Sequence, residues 1–152
     1  MAQGVFDLIH LGHIHYLMEA KKLGDELVVV VARDATARAL KHEPITNENM
    51  RRELVANLKP VDKAVLGYEG DRYRTVEELK PDIIALGYDQ EIDEENLRKE
   101  LEARGLPTKV VRLPKFDSDL DGTRKIIRKI VDWWGFQKTM EKVEKPVKVK
   151  KL

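Results

Sequence analysis

At 152 residues the chain is long enough for one domain with its own hydrophobic core. Charged residues make up 36% of it, but 28 basic and 27 acidic side chains nearly cancel, which argues against a dedicated nucleic-acid binder. Cysteine is absent, which excludes disulfides and thiolate chemistry; with no bilayer-length apolar run and no signal-peptide pattern, a cytoplasmic location is expected.

Only Met1, Ala2 and Gln3 precede Gly4, whereas strands usually run about five or six residues. The first strand is therefore expected to be truncated, with the natural protein beginning several residues upstream on an apolar β-branched run. Gly4 is expected to let the chain leave this strand sharply. A helical pattern follows, with Ile14, Leu17 and Met18 as its apolar stripe. The run Leu27-Val28-Val29-Val30-Val31 reads as a strand buried on both faces of a parallel sheet. Met50, Leu54, Val55 and Leu58 form a second helical stripe, with Thr46 or Asn47 as its N-cap.

Ala64-Val65-Leu66, Asp82-Ile83-Ile84-Ala85-Leu86 and Val110-Val111-Arg112-Leu113 supply three more strands. Residues Glu94 to Arg104 form a charged helix closing at Gly105. Ile126, Ile127, Ile130, Val131 and Trp134 mark a final amphipathic helix. Repeated βα units imply a Rossmann-like, doubly wound, five-stranded parallel sheet with helices on both faces. The domain is expected to span residues 1–137. Residues 138–152, with six lysines, two glutamates and Pro146, read as a solvated, flexible tail, or alternatively a weak site for an anionic partner.

The decapeptide Gly4-Val5-Phe6-Asp7-Leu8-Ile9-His10-Leu11-Gly12-His13 carries the chemistry. Two histidines flank a glycine where a helix begins. Backbone amides and the helix dipole already favour anions there, and Gly12 lets backbone approach a phosphate. His10 and His13 are the candidate catalytic donors to a triphosphate. The plainer alternatives are a buried turn residue for His10 and a helix N-terminal surface residue for His13. His15 and His42 read as ordinary surface residues. Asp7 orients a histidine, approaches a metal or caps the turn. In Leu86-Gly87-Tyr88-Asp89-Gln90, Asp89 follows a strand at the sheet edge where ligands sit, and could accept hydrogen bonds from a base amine or ribose; by itself the segment reads equally as a simple strand-ending turn.

The decapeptide resembles the signature of the nucleotidyltransferase superfamily that includes cytidylyltransferases and adenylyltransferases, approximately G-[TV]-F-D-x-x-H-x-G-H. Gly4, Phe6, Asp7, His10, Gly12 and His13 match it. The resemblance implies that Val5, Phe6, His10, Leu11, Gly12 and His13 contact nucleotide, and that Asp89 does so from its turn. It also implies that Lys41 and Arg51 join the histidines in the catalytic set; a solvated basic face is the alternative for both. Near the C-terminus, where that superfamily carries I-S-[ST]-T-x-[KR], the chain reads Leu120-Asp121-Gly122-Thr123-Arg124-Lys125. Thr123 and Arg124 are the remaining nucleotide-binding candidates, and Asp121 departs from the pattern.

The segments Gly24 to Asp34 and Lys80 to Gln90 are similar to those of archaeal FAD synthases. That resemblance implies adenylyl transfer from ATP to FMN, giving FAD and pyrophosphate, with a divalent cation, Mg²⁺, and a homodimer; charge balance and the lack of a bilayer-length apolar run lead us to expect no nucleic-acid or membrane partner. Two other readings stay open: a CTP-dependent transferase acting on glycerol 3-phosphate, and a nucleotide-binding regulator that no longer catalyses.

Overall fold

The computed structural model describes residues 1–40, 43–116 and 122–144, with side chains described up to Thr139. Five parallel strands form one sheet: β1 (Ala2–Gly4), β2 (Val28–Val31), β3 (Lys63–Leu66), β4 (Ile83–Leu86) and β5 (Lys109–Arg112), in the order β3-β2-β1-β4-β5. Among the described residues six helices connect and follow them: α1 (Leu11–Lys21), α2 (Asp34–Leu40), α3 (Glu48–Ala56), α4 (Arg72–Leu79), α5 (Glu94–Ala103) and α6 (Thr123–Glu144). The expected doubly wound sheet is therefore present.

Strand pleating sends alternate side chains to opposite faces and so builds two cores. On one face Val29, Val31 and Ala85 pack with Leu17 and Ala20 of α1 and Val55 of α3. On the other, Ile84, Leu86 and Val110 pack with Val76 of α4 and with Leu97 and Leu101 of α5. Local chemistry sets the helix starts. The Asn47 side chain accepts the Met50 N–H at 3.0 Å, which decides the N-cap of α3. Asp71 caps α4, and Asp93 caps α5 by accepting from Glu95 and Asn96. Gly105, at φ 67°, follows α5 as expected of a left-handed terminator.

Strand β1 has three residues, and all three pair with β2, Ala2 to Gly4 against Val29 to Val31. Against β4 the ladder register includes only Ala2 with Ala85. Beyond that point side chains replace the ladder. The Tyr16 hydroxyl donates to Ala85 O at 2.9 Å and accepts from Gln3 N at 3.2 Å, and Gln90 Nε2 donates to Gln3 O at 2.8 Å. Strands β1 and β4 thus part toward their carboxyl ends, at the reversal of strand order where open α/β sheets bind ligands.

Two helical stripes differ from the expectation. Met18 faces solvent, and α1 buries Leu17 and Ala20. On α3 the buried pair is Arg51 and Val55, while Met50 and Leu54 are exposed. The i, i+4 spacing is kept, but the helix is rotated because the Arg51 guanidinium finds acceptors inside. Helices α2 and α4 lack an apolar stripe distinct enough to be read from sequence. Helix α6 continues past residue 137, the domain boundary read from sequence, and exposes Ile130, Val131 and Trp134. Among the described residues no helix is long and apolar enough to cross a membrane.

Candidate active site at the carboxyl edge of the sheet

The βα turn after β1 begins with a strained residue. Phe6 has φ 55°, in the left-handed region that costs a bulky residue about 1–3 kcal/mol. Its ring is only 2% exposed, and burial of that size contributes about 1.5–3 kcal/mol in return. A Cβ on Gly4 would stand 2.9 Å from Phe6 Cε2 and Cζ. A side chain at position 4 would therefore force the aromatic ring to shift; the positive φ of the turn falls at Phe6, which corrects the expected reason for the glycine. The Phe6 ring stacks on Tyr16 with centroids 6.4 Å apart and meets the His13 ring at 5.2 Å. It supports one of the two histidines from below the turn.

His10 is the N-cap of α1, and its Nδ1 accepts the His13 backbone N–H at 3.4 Å. That bond needs the Nδ1 lone pair, so the proton of the neutral imidazole sits on Nε2. The His10 and His13 rings stack at 3.8 Å with 22° between planes. Two imidazoles thus meet at the first turn of a helix whose N-terminus favours anions. Gly12 and the exposed Leu11 belong to that same turn.

Asp7 is buried and holds the segment before α3. Its Oδ2 accepts from Ile45 N at 2.9 Å, and its Oδ1 accepts from Thr46 N and Thr46 Oγ1, each at 2.9 Å. Arg51, fully buried, completes this brace. Its Nε donates to Thr46 O at 3.0 Å, Nη1 to Val5 O at 2.6 Å and Nη2 to Asp34 Oδ1 at 2.6 Å. The guanidinium therefore spends donors from all three nitrogens on the protein and shapes the turn through Val5. Lys41 and His42 lie outside the described residues.

The β4–α5 turn carries Asp89, which is exposed. Gln90 fastens this turn to β1 through Gln3, and its Oε1 accepts Gly87 N–H at 3.2 Å. Burial raises the pKa of the Tyr16 phenol far above its ordinary value, so it remains a neutral bridge at physiological pH. Thr123 and Arg124 open α6, where Gly122 O accepts from Lys125 and Ile126. Leu120 and Asp121 lie outside the described residues. Phe116, after β5, stacks on His15 of α1 with ring centroids 4.7 Å apart. Among the described residues no group of three or more His, Cys, Asp or Glu side chains converges to hold a metal. A Mg²⁺ ion carried in on a triphosphate needs no such cage, since phosphate oxygens and water supply most of its ligands.

Tyr16, Gln90 and Arg112 were not singled out by sequence, and Thr46 was read only as a possible helix cap. Arg112 alone gave a signal, a charge inside the otherwise apolar run Val110 to Leu113.

A stacked histidine pair at a helix N-terminus, at the strand-order reversal of a doubly wound sheet, has the form of a phosphate-handling site. The chain belongs to the cytidylyltransferase-like family, which matches residues 1–144. Among its relatives, the FAD synthase of Aciduliprofundum boonei is 63% identical over 133 residues, covering 87% of this chain and 89% of the relative. The FAD synthase of Thermoplasma acidophilum is 56% identical over 135 residues, covering 89% and 95%. A crystal structure of a Thermoplasma volcanium protein, titled a lipopolysaccharide core biosynthesis protein, matches with a TM-score of 0.76 and 60% identity, covering 77% of this chain and 96% of that one.

Proposed function

We propose that the protein is an FAD synthase, a nucleotidyltransferase that moves AMP from ATP to FMN. The observation that carries this reading is the 63% identity to a FAD synthase over a stretch that covers 87% of the chain. An FMN phosphate oxygen attacks the α-phosphorus of ATP. The new P–O bond forms as the α–β bridging bond breaks, and pyrophosphate leaves. The attacking phosphate oxygen is already ionised at neutral pH, so no general base is needed. Catalysis then rests on alignment and on stabilising charge in the leaving group.

His10 Nε2–H and His13 serve as donors to the triphosphate, aided by the α1 N-terminus. Val5, Phe6, Leu11 and Gly12 shape the nucleotide contact. Asp89 accepts from base or ribose, Thr123 and Arg124 meet phosphate oxygens, and Lys41 supplies a further cation. Arg51 acts on substrate through the backbone it braces. A divalent cation such as Mg²⁺, bound with ATP, would spread the triphosphate charge; Asp7, the metal candidate of the sequence, supports the turn through Ile45 and Thr46. The protein works in the cytoplasm as a homodimer with no nucleic-acid or membrane partner, and light scattering on a size-exclusion column tests the dimer.

The deciding assay offers FMN or glycerol 3-phosphate, each with ATP and with CTP. FAD from FMN and ATP is expected. Preference for CTP with glycerol 3-phosphate would replace this reading with the cytidylyl one, and no turnover in any arm would favour a regulator.

A further inference from the structure

Arg112 ends β5, next to β4, and its side chain reaches the β4–α5 turn. Nη1 donates to Gly87 O at 2.9 Å and to Gln90 O at 3.0 Å, and Nη2 donates to Ile92 O at 2.9 Å. Nε donates to Glu94 Oε1 at 2.6 Å, in the first turn of α5. One side chain therefore gathers three carbonyls and a carboxylate between Gly87 and Glu94. A guanidinium suits this task because its donors lie in one rigid plane, whereas an ammonium presents three donors at a point. The same turn is held from its other side, where the Gln90 amide bonds Gln3 O and Gly87 N. Asp89 sits between the two fastened residues, on the turn after β4, at the carboxyl end where β1 and β4 part.

We propose that Arg112 is a positioning residue for nucleotide binding: it fixes the Gly87–Gln90 turn so that Asp89 is preset for the nucleotide. This rests on the reading above that Asp89 meets the nucleotide. A turn left to fluctuate must be ordered when the ligand arrives, and that cost appears as weaker binding. The effect belongs to affinity, because no part of Arg112 need touch the reacting phosphates.

The test measures ATP dissociation constants by titration calorimetry for wild type, R112M, R112K, D89N and the double variant R112M/D89N. R112M is expected to weaken ATP about tenfold and R112K by less, with KM for ATP rising more than kcat falls. Residues acting through one another are non-additive, so the double variant should bind within about twofold of the weaker single one. R112K keeps the charge beside Glu94, and it decides the matter if R112M folds poorly. ATP affinity within twofold of wild type in the folded variants would overturn the proposal, even with a lowered melting temperature. So would multiplicative losses in the double variant, or D89N binding like wild type. A wild type that binds ATP but forms no FAD defeats the proposed function alone, because this test reads binding.

Discussion

Arg51 Nη1 lies 2.6 Å from the carbonyl oxygen of Val5, across 46 residues of sequence. This bond joins α3 to the βα turn that presents the histidines, and it is one of three that a fully buried guanidinium makes. Replacing Arg51 with methionine keeps much of the volume but strands Asp34 and two carbonyls. A loss of about 3–5 kcal/mol is expected, as for other broken buried ion pairs. Urea denaturation measures it, and a loss under 1 kcal/mol would contradict the bracing role.

Gly4→Ala tests the contact beneath the turn. The added methyl would stand 2.9 Å from two ring carbons of Phe6, inside any normal contact. Overpacking of this kind costs about 1–3 kcal/mol. The ring must shift, and His13 rests on it at 5.2 Å, so kcat should fall together with melting temperature. A G4A protein with wild-type kcat would separate the ring from the histidine.

His10 combines a cap with a proposed catalytic donor, and two substitutions separate them. Asparagine caps helices well but has no imidazole, whereas alanine does neither. H10N should keep wild-type stability and H10A should lose about 1 kcal/mol. Both should lose about a hundredfold in kcat, the usual cost of one transition-state donor. H13A should show the same rate loss. Near-normal turnover in H10N would leave His10 a purely structural cap.

Acid should destabilise the fold through Glu48 and Asp62. Hydrogen bonds from the Asp34 amide and then Arg33 hold the Glu48 carboxyl below its ordinary pKa. The Leu27 amide, followed by Lys21, does the same for Asp62. A carboxyl with a lower folded than unfolded pKa adds stability that is fully present above the unfolded value, about 4 for these groups. That stability is lost as pH falls through the folded pKa. Melting temperature should therefore drop below pH 4, and less steeply for E48Q and D62N than for wild type.

The strands and the helix-opening histidine turn were legible in the sequence because their signals are local. The β-branched run at Leu27 to Val31, the glycine between His10 and His13, and caps such as Asn47 act within a few residues of themselves. The resemblance to FAD synthases was legible for the same reason, since it lies in contiguous motifs. Periodicity on α3 misled because apolar character alone cannot foresee Arg51 finding Val5, Thr46 and Asp34 as partners. Asp7, read as three possible roles, also accepts from Ile45 and Thr46, 38 and 39 residues away, which no local pattern announces. The left-handed Phe6 over Gly4, and Arg112 gripping the turn of Asp89, also form only when distant segments meet. A polar side chain takes its role from the donors or acceptors that surround it, and tertiary packing alone supplies those.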